Sequence, residues 1–73
     1  MSNTTVHRRF CENDGWELWK DKADHWYYRK LKEDGTFKYT KISRGRKDYG
    51  KKMWNTILKK QLEVDQEYFN NME

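Results

Sequence analysis

The chain has 73 residues, enough for one domain spanning 1–73 and a thin core, since a domain this small buries only about 60% of its unfolded surface. Apolar residues make up 34% and charged residues 38%, a balance that by itself suits a disordered chain, but four Trp, five Tyr and three Phe argue for burial, because large rings drive folding. Sixteen Lys and Arg against twelve Asp and Glu leave a formal charge of +4, which favours an anionic partner such as nucleic acid or an acidic protein surface.

Residues 4–13 read as a first helix. Thr4 or Thr5 can cap its start, and Val6 and Phe10 share a face four residues apart. Asp14-Gly15 stops it, because glycine tolerates the left-handed cap. Residues 15–20 read as a first strand, 21–24 as a polar turn, and 25–32 as a second strand rich in aromatics. Asp34-Gly35 is a hairpin signal, and residues 36–42 return as a third strand with Phe37 and Tyr39 on one face. A basic loop, 43–50, precedes an amphipathic helix over 51–62 with Trp54, Ile57, Leu58 and Leu62 on one face and Met53 at its edge. Asp65 can cap a last short helix, with Val64 and Phe69 spaced for a hydrophobic staple. The order α-β-β-β-α-α predicts an α+β two-layer sandwich: a three-stranded antiparallel sheet with the helices on one face. Trp16, Trp26, Tyr28, Phe37 and Trp54 are the main core candidates.

Cys11 is the single cysteine, so an internal disulfide and a CxxC metal site are excluded and a reducing compartment is expected. No apolar run is long enough to span a bilayer and no signal-peptide core is visible. A cytoplasmic protein without a membrane partner is the expectation. His7 and His25, the two histidines, have no carboxylate spacing that suggests a metal site, and no cofactor is implied.

On a regular second strand His25, Tyr27, Arg29 and Leu31 share one face, and Trp26, Tyr28 and Lys30 the other. Leu31 argues for burying one face and Trp26 for burying the other. If His25 is exposed, the aromatic and the cation beside it could stack a base, hold a phosphate and move a proton; a lone histidine among aromatics is more often simply packed. Arg44, Arg46 and Lys47 lie in a loop with two glycines just before a helix start, joined there by Lys51 and Lys52, a setting that suits phosphate or a plain solvated turn. Rings interleaved with Lys and Arg suit looped or single-stranded RNA.

Three stretches together resemble the HicA family of toxin ribonucleases. Gly15-Trp16 opens the first strand. Ala23-Asp24-His25 is similar to the family's Gly-Ser-His at the start of the second strand. Tyr49 through Leu62 is similar to its basic "KxGTLxxILKQ" helix, with Ile57, Leu58, Lys59 or Lys60, and Gln61 in place. The closing segment from Val64 to Phe69 is also similar, and the matches run through nearly the whole chain in the same order. The resemblance implies a fold like a double-stranded-RNA-binding domain and metal-independent cleavage of mRNA by one histidine, which by position is His25. It also implies neutralisation by a HicB-like antitoxin. The chain departs from the family at Ala23 and Asp24, and at Trp26, where a second histidine is common. It departs again after the third strand, where Ser43-Arg44 replaces a histidine. A binding relative without catalysis, or a small basic protein-interaction domain, are the alternatives.

Overall fold

The computed structural model describes residues 2–72. Helix α1 covers Thr4–Asn13, and its cap is Asn3, whose side chain accepts from the Val6 N–H at 3.0 Å. The threonine expected as a cap does other work. Thr4 is buried, and its hydroxyl donates to the Gly45 carbonyl at 3.2 Å and accepts from the Lys47 N–H at 3.1 Å, tying the basic loop to the helix start. The helix stops as expected: Gly15 takes φ 79, and the Trp16 N–H closes back on the Cys11 carbonyl at 2.9 Å.

Strand β1, Glu17–Lys22, starts two residues later than the pattern predicts. The cap occupies Gly15, and Trp16 turns into the core with its indole N–H donating to Asp14 at 3.0 Å. A two-residue turn at Ala23-Asp24 leads to β2, His25–Leu31, and the Asp34-Gly35 turn to β3, Phe37–Ser43. In the second turn Gly35 has φ 88, and the Asp34 carboxylate accepts from the N–H and the hydroxyl of Thr36 at 2.9 and 2.6 Å. The sheet is an antiparallel meander in the order β1-β2-β3.

The predicted 51–62 helix changes form halfway. Lys51–Thr56 is α-helical (α2), and Ile57–Leu62 continues as a π-helix ending at Glu63, φ 57. Helix α3, Gln66–Met72, is capped by Asp65, which accepts from the Tyr68 N–H at 2.8 Å. Phe69 is fully buried with Val64 packed beside the core, as the staple requires.

All three helices lie on the sheet face that carries Trp26, Tyr28, Lys30, Lys38, Thr40 and Ile42, which settles the face that the sequence left open. Tyr28, Thr40 and Ile42 are buried there. Lys30 and Lys38 lay their stems on that face and donate to the Asp14 and Leu62 carbonyls, each at 2.7 Å, at the ends of helical segments. The core is aromatic. Phe10 stacks on Phe69 at 4.6 Å between centroids, and Trp54 meets Phe69 edge-on at 4.7 Å and lies parallel to Tyr49 at 5.7 Å. Trp16 and Trp54 are buried as expected; Phe37, a core candidate by sequence, is instead 37% exposed on the other face. No helix among the described residues is long and apolar enough to cross a membrane.

Candidate nucleic-acid interface

The face of the sheet away from the helices is open. Strand pairing sets its rows. Lys22, His25 and Ser43 stand side by side across the three strands, followed by Lys20, Tyr27 and Lys41, then Glu17, Arg29 and Tyr39, and last Leu31 and Phe37. A register shift between Leu18 and Lys20 bulges β1 at Trp19. The bulge puts Trp19 on the same face as Lys20 rather than the opposite one. The Trp19 ring meets Tyr39 edge-on at 5.7 Å, and the Arg29 guanidinium lies 5.3 Å from the Trp19 centroid and 4.5 Å from that of Phe37. The Lys20 ammonium sits 5.2 Å from the Tyr27 centroid. Four aromatic rings (Trp19, Tyr27, Phe37, Tyr39) are thus interleaved with four cations (Lys20, Lys22, Arg29, Lys41). The acid among them, Glu17, is held by Arg29 at 2.7 Å.

His25 is half-buried at the end of this face. It lines a cleft of about 260 Å³ that wraps around the outer edge of β3. Lys41 and Ser43 reach it from the strand, and Lys47 and Tyr49 from the loop. Met53, Ile57 and Gln61 form the far wall. Arg29, predicted to act with His25, stands four residues along the strand, on the order of 13 Å away, and is occupied by Glu17. One phosphate cannot touch both, so Lys41 and Lys47 are the cations placed to share a phosphate with His25. Asp21, close to His25 in sequence, is ion-paired with Arg44 instead. Among the described residues no carboxylate is hydrogen-bonded to the His25 ring.

The basic loop is divided between sites. Lys47 belongs to the His25 cleft. Arg44 and Arg46 line a separate groove of about 300 Å³ on the helix side of the sheet, together with Arg8 and Arg9 of α1 and Trp26. The Arg8 guanidinium lies 3.8 Å and that of Arg44 5.0 Å from the Trp26 ring centroid. Lys51 borders another hollow beside Asp48 and Gln66, and Lys52 is exposed on α2; neither lines the cleft or the arginine groove.

Behind the cleft, sequence reasoning missed a buried polar chain. The Tyr49 hydroxyl meets His7 Nδ1 at 2.8 Å, His7 Nε2 meets the Thr40 hydroxyl at 2.9 Å, and Thr40 donates to Gln61 Oε1 at 2.6 Å. With Thr40 donating to Gln61, Nε2 carries the proton and Nδ1 accepts from Tyr49, so the imidazole is neutral and fully paired. Burial pushes the His7 pKa down to about 4 and that of Tyr49 up to about 12. The available signal was spacing: His7 lies three and four residues before Phe10 and Cys11, on the buried stripe of α1.

A second polar hub is Asp14. Burial alone would raise its carboxyl, but donors from Tyr68 at 2.5 Å, Lys30 at 3.0 Å and Trp16 at 3.0 Å outweigh that and hold it below the usual carboxylate range. Comparison with family models, with curated proteins and with solved structures gives no match to this chain.

Proposed function

We propose that this protein binds single-stranded RNA on the open face of its sheet and cleaves it through His25, as a toxin of the HicA kind with a fold like a double-stranded-RNA-binding domain. One observation carries the reading: rings and cations alternate over that face, with its acid already paired. Stacked bases need rings and the phosphate chain needs cations, at a spacing of one strand row each. The element order and the helices gathered on one face support the likeness to the family. So does Ala23, which holds φ 55, a conformation that suits glycine, at the position where the family has glycine.

In the cleavage step His25 takes the proton of a ribose 2′-hydroxyl. O2′ bonds to the adjacent phosphorus, the P–O5′ bond breaks, and O5′ takes a proton from solvent water. The products are a 2′,3′-cyclic phosphate and a 5′-hydroxyl end. Lys41 and Lys47 would stabilise the charge that develops on the phosphorane oxygens. Arg44 and Arg46, with Arg8 and Arg9, offer a second cationic track for the backbone of a longer RNA, and Lys51 and Lys52 add unspecific attraction. An antitoxin of the HicB kind would inhibit by covering the open face.

A second reading, a binding module without catalysis, is favoured by the absence of a carboxylate hydrogen-bonded to His25 among the described residues, since such a partner usually orients a catalytic imidazole. The test is incubation of an unstructured RNA with the wild type and with His25→Ala in the presence of EDTA, with analysis of the product ends. Cyclic phosphate ends from the wild type alone support the first reading. Binding without cleavage by either supports the second.

A further inference from the structure

We infer that the cleft between the edge of β3 and the π-helical segment seats a single nucleobase, and that Gln61 reads the edge of that base. The inference rests on RNA being the ligand, and it adds a sequence preference that stacking on the open sheet does not supply.

Size is the first argument. About 260 Å³ falls below the roughly 300–1,000 Å³ that encloses a drug-sized ligand. One ring system fits inside while sugar and phosphate stay out, beside Lys41, Lys47 and His25 at the rim. Lining is the second. Ile57, Met53 and the Tyr49 ring provide apolar walls, and Met53 is 48% exposed although its neighbour Trp54 is buried. Methionine's flexible thioether suits a wall that adapts to a flat ring.

π-helical turns are rare and concentrate at functional sites. The π-turn here spans Ile57–Leu62. It directs Leu58 and Leu62 into the core, leaves Lys59 and Lys60 in solvent, and sets Ile57 and Gln61 on the cleft. Gln61 is held rigidly for a surface amide. Its Oε1 is fixed by the Thr40 hydroxyl at 2.6 Å, which is in turn fixed by the buried His7 ring at 2.9 Å. The amide nitrogen is what remains to meet a ligand, so Gln61 presents a fixed donor to an acceptor on the base edge. A donor locked by a buried chain discriminates better than a mobile one, because a wrong base cannot recruit it by rotating the amide.

The test measures dissociation constants for ten-residue homopolymers of uridine, adenosine and cytidine by fluorescence anisotropy, with intact protein carrying His25→Ala to prevent cleavage. Homopolymers remove any dependence on register. The expected result is a spread of about tenfold among the three, the worth of one well-made or missed hydrogen bond at a partly desolvated site. Gln61→Glu keeps the acceptor for Thr40 but turns the donor into an acceptor, so the ranking of the three RNAs should change. Met53→Ala, at an exposed position that should not affect folding, should weaken all three by threefold or more. Circular dichroism melting confirms that each variant is folded. If the parent binds RNA but its ranking survives Gln61→Glu and its affinities survive Met53→Ala, the nucleobase cleft is wrong while RNA binding stands. If the parent binds none of the three, the RNA reading fails and this inference with it.

Discussion

Below pH 6.5 the unfolded chain takes up a proton on His7 that the folded chain refuses. The folded imidazole is neutral and fully buried, with its pKa pushed down to about 4 from the usual 6.5. A depressed histidine stabilises the fold fully at pH values above its unfolded pKa. That contribution is lost as pH falls from about 6.5 to about 4, because the unfolded state then binds the extra proton. At 1.36 kcal/mol per unit, the loss over this window is about 3 kcal/mol. A domain of this length has a total stability of roughly 4–11 kcal/mol, so the loss is a large share of it. Asp14 acts later: its lowered carboxyl contributes stability that is lost only as pH drops below the ordinary carboxylate range. The assay is urea unfolding followed by tryptophan fluorescence at pH 7.5, 6.5, 5.5 and 4.5, for the wild type and for His7→Gln. The variant should be less stable at pH 7.5, because the Tyr49–His7–Thr40 chain is broken, yet should lack His7's share of the acid slope. Contributions from groups that the two proteins share cancel in the difference. Parallel curves for the two proteins would refute the reasoning, since they would mean that the buried ring accepts a proton as easily as the free one.

Trp54→Ala should cost about 3–5 kcal/mol and leave the domain mostly unfolded, because the ring is 7% exposed, packs on Tyr49 and Phe69, and donates its indole N–H to Gln66 at 2.8 Å; a melting midpoint unchanged from wild type would show that the ring is not core. Ala23→Gly should raise stability by about 0.5–1 kcal/mol, the left-handed cost of roughly 1–2 kcal/mol at φ 55 less the freedom glycine adds to the unfolded chain; a lower midpoint would mean the turn is not left-handed in solution. Cys11 is fully buried, and burial pushes its thiol up, so a disulfide reagent should react with it only as fast as the domain opens; immediate reaction of the native protein would place the thiol at the surface.

Features written in short local signals were legible in the sequence. Asp14-Gly15, Asp34-Gly35 and the Val64-Asp65-Phe69 staple each stop, turn or start an element through contacts within a few residues, and each stands where the pattern puts it. The apolar stripe of Trp54, Ile57, Leu58 and Leu62 is buried as read. Features that depend on distant partners were not legible. The inner face of β2 ends in Lys30, which looks like a solvent residue until the Asp14 carbonyl is brought above it. Thr4 resembles a cap, but the loop at Gly45 and Lys47 claims its hydroxyl and Asn3 takes the role. The bulge that turns Trp19 onto the open face and the change to a π-helix at Ile57 leave no periodic trace. At the candidate site His25 shares its cleft with Lys41 and Lys47, while Arg29 and the pair Arg44 and Arg46 are elsewhere: Arg29 is on the same face but four residues along the strand, and the two loop arginines turn to the other side of the sheet.

The central claim is that RNA lies on the open sheet face. It is tested most directly by titrating the His25→Ala protein with a ten-residue oligouridine and following the backbone amide shifts by NMR. The account predicts that the largest changes map to β1 from Trp19 to Lys22, to Tyr27 and Arg29, and to β3 from Phe37 to Ser43, with α3 unaffected. Shifts confined to the helical side around Arg8, Arg9 and Arg46, or none at saturating RNA, would contradict it.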